Sequence, residues 1–220
     1  MAKRIAIIAV LAGLVFSIPA PTQAEVGLGA DLVSRYVWRG TDFGDGLSVQ
    51  PYLSYASGPI EIGAWSSWGV TSNGANENDL YITYSAGSLS ITVTDYFFPA
   101  LTEDDSFLDY SSEGGHTIEL MVSFGQGPIS LTGAVNVLET EDDDGETQNS
   151  IYAEVGYDLG EMEGIGVSIF AGVGTDDYIT ENGPVPVTNA GVSMAKGDYW
   201  ASYIINLDRE STFLVFGKSF

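Results

Sequence analysis

Four acidic residues, Asp31, Glu61, Glu119 and Glu154, lie inside segments that otherwise alternate between apolar and polar side chains, and one base, Arg35, shares a segment with Asp31. Carboxylates embedded in this way must be paired or hydrated. Facing a common interior, they either form a network that fills and stiffens it or line a passage whose excess negative charge favours cations. Arg39 falls at the outer mouth of the same interior. Gln50, Tyr52 and Trp65 occupy the same polar faces, and a lining rich in Tyr, Trp, Ser and Thr also suits neutral polar solutes. The row of Arg and Lys that anionic solutes require is missing.

Hydrolytic chemistry has one possible base, His116, the only histidine in the chain. A serine nucleophile normally needs a positioned base beside it, and no serine motif adjoins His116. A single histidine also leaves no two-histidine metal spacing. The acidic run Glu139–Glu146 lacks the alternating ligand spacing of a calcium loop and reads first as a solvated loop, with a weaker reading as a collector of divalent cations at a lipopolysaccharide surface. No cofactor is expected, and the absence of cysteine excludes lipid attachment through a thiol, disulfides and thiolate metal sites.

The elements that must position these residues are strands. After residue 24 no helical period appears, and period-two alternation recurs instead. Val26, Leu28, Ala30, Leu32 and Tyr36 alternate with Gly27, Gly29, Asp31 and Arg35; Ile151, Ala153, Val155 and Tyr157 alternate with Tyr152, Glu154, Gly156 and Asp158. The pattern predicts twelve strands at 26–38, 47–56, 60–70, 79–86, 88–97, 115–125, 129–138, 150–159, 164–174, 187–196, 199–207 and 212–220. Each is close to the ~9–11 residues that a tilted membrane strand needs.

Connections alternate in length. Ser57-Gly58-Pro59, Gln126-Gly127-Pro128 and Gly197-Asp198 are tight and rich in turn formers, whereas Thr71–Asn78, Phe98–Gly114, Glu139–Asn149 and Thr175–Pro186 are long, and most of the acidic residues lie in or beside the predicted outer loops. Short periplasmic turns opposite long outer loops are the arrangement of an antiparallel up-and-down transmembrane β-barrel. Tyr55, Tyr84, Phe124, Tyr157, Tyr199 and Phe220 fall at one rim of the apolar face and Tyr36, Trp38 and Trp68 at the other, as aromatic girdles do. Asp95 breaks the apolar face of its strand; a bulge or an early strand end would account for it.

The first 24 residues read as a signal peptide: Lys3 and Arg4, an apolar run from Ile5 to Phe16, and small residues before Glu25. The expected mature domain is 25–220. With Lys3 and Arg4 in the leader, that domain sets five basic residues against thirty acidic ones, which argues against nucleic acid as a partner. At 45% hydrophobic and 12% aromatic the chain is too apolar for an acidic disordered protein.

Ser34-Arg35-Tyr36-Val37-Trp38-Arg39-Gly40, followed by Gly46-Leu47-Ser48-Val49-Gln50-Pro51-Tyr52-Leu53-Ser54-Tyr55 and Glu61-Ile62-Gly63-Ala64-Trp65-Ser66-Ser67, resembles the start of the TorF family of porins, in which a first strand ending Tyr-x-Phe/Trp-Arg-Gly precedes a second carrying Gln and Tyr. The resemblance covers about residues 26–69 and implies an outer-membrane barrel and a channel. Arg35 stands where that family often has Asp. The terminal Phe220 resembles the assembly signal of outer-membrane proteins and implies the barrel-assembly machinery as a partner, with outer-membrane lipid and lipopolysaccharide around the wall.

The expected function is a porin-like channel in a Gram-negative outer membrane for passive diffusion of small polar or cationic solutes. One alternative is a non-conducting barrel whose acidic loops serve structural or partner-binding roles. A further one is an interfacial hydrolase using His116; the reading preferred is that the chain is not an enzyme.

Overall fold

The computed structural model describes residues 24–44, 46–70, 76–99, 106–111, 114–139, 149–180 and 186–220. The expected signal peptide, except for its last residue Ala24, and the acidic run after Glu139 lie outside these residues. Among the described residues the architecture is all-β. Twelve strands close into an antiparallel barrel in which sequence neighbours pair throughout: β1 (Glu25–Val33), β4 (Ser48–Ser57), β5 (Ile60–Gly69), β6 (Glu77–Ala86), β7 (Leu89–Phe97), β8 (His116–Gln126), β9 (Ile129–Leu138), β10 (Ile151–Met162), β11 (Ile165–Gly174), β12 (Val187–Lys196), β13 (Tyr199–Asn206) and β14 (Ser211–Ser219). A separate hairpin, β2 (Tyr36–Trp38) and β3 (Thr41–Gly44), lies between β1 and β4.

Alternation sends successive side chains to opposite faces of the wall, and here the polarity is the reverse of that in a water-soluble protein. Val26, Leu28, Leu53, Ile62, Leu80, Ile82, Leu131, Val155, Ile169 and Leu214 point outward and are exposed, Leu28 by 77%. Ser67, Glu119, Ser123, Glu154, Asn189, Ser202 and Asn206 point inward and are buried. Closing the sheet leaves no long free edge to pair with another chain.

Closure joins β1 to β14 over a short stretch, with Asp31 opposite Ser219, Leu32 opposite Lys218 and Val33 opposite Gly217. Phe220 extends it by donating its N–H to the Ala30 carbonyl at 3.0 Å. Lys218, which interrupts the outward apolar face, places its ammonium 4.1 Å from the Phe220 ring centroid and 5.7 Å from that of Tyr199, so the cation is held by aromatic faces.

Eleven of the twelve expected strands agree with the structure to within three residues at each end. The first does not. It was expected to run to Trp38, but β1 stops at Val33 and the chain turns inward at Ser34 and Arg35. Tyr36 and Trp38 therefore do not sit at the outer rim of the apolar face. Tyr36 is buried inside the barrel, with its ring centroid 5.6 Å from that of Trp65.

Candidate functional site

The inward hairpin is short, and its tip is strained. Tyr36 pairs with Gly44, Val37 with Asp42 and Trp38 with Thr41, leaving Arg39 and Gly40 as the two turn residues. Both have positive φ, 49° and 79°, the backbone twist that suits a two-residue hairpin turn. Arginine tolerates this conformation poorly, so surrounding contacts must hold it there.

Those contacts come from most of the circumference. The Arg39 guanidinium forms a buried ion pair with Glu119 of β8: Nη1 bonds Oε2, and Nη2 donates to Oε1 at 3.1 Å. Nη1 also donates to the Tyr178 hydroxyl at 2.5 Å. Tyr96 of β7 donates to Glu119 Oε1 at 3.1 Å. Aromatic rings surround the cation, with centroids 4.3 Å away for Trp38, 4.1 Å for Tyr152 and 5.3 Å for Tyr178. Burial disfavours the charge on Arg39, but the Glu119 carboxylate, then the Tyr178 and Tyr96 phenols, outweigh it and its pKa is raised.

Gly40 presses against the opposite wall. A Cβ built there would lie 1.8 Å from the Thr188 carbonyl oxygen, so only glycine fits. Asn206 Nδ2 donates to the Gly40 carbonyl at 3.1 Å. The remaining flank is apolar: Val37 packs with Phe170, Ile204 and Val215, backed by Trp200 and Phe213. Phe43 stacks on Phe98, centroids 5.9 Å apart.

Two irregularities of the wall occur where the hairpin lands. The β8–β9 register shifts between Ile118 and Glu119, and the β11–β12 register shifts beside Thr188, leaving Thr188 and Asn189 both buried. Such bulges turn a side chain away from the regular alternation. One adds Val137 to β9 opposite Glu119, whose own pairing with β7 stays regular, and the other adds Thr188 to the strand against which Gly40 rests.

Around this layer lie more acids than bases. Glu154 Oε2 accepts from the Tyr152 hydroxyl at 2.5 Å and from Asn189 Nδ2 at 2.7 Å, while its Oε1 is buried without a hydrogen-bond partner. Asp31, Glu77 and Asp79 each bury one carboxylate oxygen in the same condition. Toward the short-turn end the character changes. Many inward positions become small, with hydroxyl pairs Thr83–Thr92 at 2.9 Å and Ser193–Ser202 at 2.7 Å, and the aromatic side chains Tyr81 and Trp200 lie across Gly63 and Gly217. Tyr52 lies across Gly29, where any Cβ would collide with its ring.

Of the nine candidate residues, Asp31, Gln50, Glu119 and Glu154 are buried on the inner face, and Tyr52, Glu61 and Trp65 are half-buried there. Gln50 donates to Ser67 Oγ at 3.3 Å, and Glu61 accepts from the Tyr81 hydroxyl at 2.9 Å. The two arginines exchange places relative to expectation. Arg35, expected within a strand, lies at the bend before the hairpin, about one third exposed, and pairs with Asp42 at 2.7 Å. Arg39, expected at the outer mouth, is buried in the lumen. The reason is the turn at Ser34, which carries the intervening residues inward.

Glu77, Asp79 and Tyr178 were not expected here. The first two read as loop acids because the strand begins two residues earlier than its alternation suggests. Tyr178 belongs to a loop, in a single 3-10 turn Asp176–Tyr178.

His116 lies on the outer wall, away from the hairpin. Its Nδ1 is 2.7 Å from Asp95 Oδ1 and its Nε2 2.9 Å from the Phe107 carbonyl oxygen. The Tyr110 ring stacks on the imidazole at 4.0 Å, and the Tyr110 hydroxyl donates to Asp95 Oδ2 at 2.8 Å, a bond that raises the pKa of that phenol. The bulge or early strand end expected at Asp95 is absent. Pairing continues regularly through it, Leu80 on one side and Ile118 on the other, and the loop after β7 folds over the carboxylate instead.

None of the curated proteins matches this chain. Among solved structures, one described as "Unveiling the Mechanism Behind the in-meso Crystallization of Membrane Proteins" aligns over 88% of this chain and 83% of its own, with 8% identity and a TM-score of 0.47. The model of a family described as "Bacterial protein of unknown function (Gcw_chp)" matches residues 19–208. The chain belongs to the Gcw_chp family.

Proposed function

We propose that the chain is an outer-membrane channel for small polar or cationic solutes, closed in this conformation by the Tyr36–Gly44 hairpin. One observation carries the reading: a separate hairpin lies inside the outer half of the lumen, where Tyr36 and Arg39 are buried and Arg39 is paired with Glu119. The other half keeps many small hydroxyl side chains among its aromatic ones, including Thr83, Thr92, Ser193 and Ser202. The outward apolar wall with inward polar groups suits hydrocarbon surroundings. The signal peptide, export to a Gram-negative outer membrane, contact with lipopolysaccharide at the long loops and recognition of Phe220 by the assembly machinery complete this reading. The TorF resemblance at about residues 26–69 supports it, since that stretch includes the hairpin. The excess of luminal carboxylates over Arg39 favours cations.

No catalysis is proposed. Both ring nitrogens of His116 are directed at Asp95 and the Phe107 carbonyl, so neither faces a nucleophile.

The test is single-channel conductance of refolded protein in a planar bilayer. Wild type should be mostly closed with brief openings, and Arg39→Ala should open far more often, with a cation-selective reversal potential under a salt gradient. Silence from both, in heat-modifiable folded protein, would favour the second reading, a non-conducting barrel. That reading draws on the complete burial of Glu119, Thr188 and Asn206 around the hairpin.

A further inference from the structure

We infer that the wall around Arg39 is a binding site for a guanidinium- or primary-ammonium-bearing solute, and that Arg39 occupies it as an internal stand-in for that solute. The inference rests on the channel reading and names its solute class.

The wall supplies what an organic cation needs. Glu119 offers its two carboxylate oxygens to the two terminal nitrogens of the guanidinium, the bidentate pairing that this planar fork favours. The Tyr178 hydroxyl accepts a further N–H. The Tyr152 and Tyr178 rings flank the cation's faces, an aromatic enclosure of the type that recognises cationic ligands. Every one of these groups belongs to the barrel wall or its loop. Only Arg39 and the Trp38 ring arrive with the hairpin, and they would leave with it.

The charge balance points the same way. Glu154, within electrostatic range of Arg39, brings a second carboxylate with Oε1 buried and unpartnered. One guanidinium thus faces two acids. The two-residue turn sets a φ of 49° at Arg39, a conformation arginine tolerates poorly, so a competing free cation would relieve strain if it displaced the hairpin. Sodium or potassium gains little from the flanking rings and the planar fork. A solute such as agmatine, with a guanidinium at one end and an ammonium at the other, carries a second charge for the second carboxylate.

The experiment is chemical rescue followed by calorimetry. Refolded Arg39→Ala protein is titrated with methylguanidinium and with agmatine at constant ionic strength, against sodium chloride. Both cations are expected to bind saturably and to raise the variant's Tm, agmatine roughly tenfold more tightly because it meets two carboxylates. Binding to wild type should be at least about tenfold weaker, since Arg39 already fills the site. Arg39→Ala combined with Glu119→Gln should abolish binding. Should Arg39→Ala fail to refold, Arg39→Met keeps the apolar stem without the charge and serves in its place. Equal response of the single and double variants, or no response beyond that to sodium chloride, would overturn the inference. Saturable, Glu119-dependent binding in a barrel that never conducts would uphold the site while refuting the channel.

Discussion

Arg39 and Glu119 stand 80 positions apart in the chain and meet as a fully enclosed ion pair inside the barrel. Removing one member of such a pair leaves the other buried and uncompensated, at a cost of about 3 kcal/mol. Glu119→Gln should therefore lower Tm and raise open probability together. The double variant with Arg39→Met should recover part of the stability while remaining open. A double-mutant cycle on thermal unfolding measures the coupling; additive effects would show that the pair does not hold the hairpin.

Gly40 gives a second handle on the same hairpin. Alanine there would carry both the penalty of a positive φ, about 1 kcal/mol, and a collision with backbone of β12. Gly40→Ala should keep the barrel but dislodge the hairpin. Limited trypsin digestion reads this directly: cleavage after Arg39 is expected in the variant and not in wild type, where the residue is buried.

Locking the hairpin tests the converse. The chain has no cysteine, so Val37→Cys with Ile204→Cys places a lone pair of thiols within one apolar cluster. Oxidised protein should lose its openings, and dithiothreitol should restore them. Unaltered gating in demonstrably cross-linked protein would place the passage elsewhere.

The outer-wall clasp makes a separate prediction. His116→Ala removes the partner of the Asp95 carboxylate on an otherwise apolar face, so Tm should fall by several degrees and the loop around Phe107 and Tyr110 should become protease-sensitive. Conductance should not change, because His116 does not touch the lumen. A change in gating would link the clasp to the hairpin.

The strand set was legible because a wall between two environments writes its two faces into every strand. β9 and β12 were bounded from alternation alone. The hairpin was hidden by the same signal: Tyr36 and Trp38 prolong the alternation of β1, and an Arg-Gly turn lacks the Asn or Asp that usually marks a tight hairpin. Whether an excursion folds inward or outward depends on partners far along the chain, such as Glu119 and Asn206, and no local pattern encodes it. Glu119 and Glu154 could be placed on the inner face, but not the choice of Arg39 over Arg35 as their counterion. Nor could the bulges at Val137 and Thr188 be foreseen, since each inserts one residue without disturbing composition.

The clasp at Asp95 and His116 has a consequence for the outward face. His116 is fully buried, while Phe107, Leu108 and Tyr110 of the loop that covers it are exposed, Leu108 by 82%. The loop thus lays apolar side chains over a polar pair that would otherwise interrupt β7 and β8, so the apolar band continues across them. In a bilayer that loop would meet lipid and not water, and a charge placed at Leu108 would cost the barrel as much as one placed on a strand.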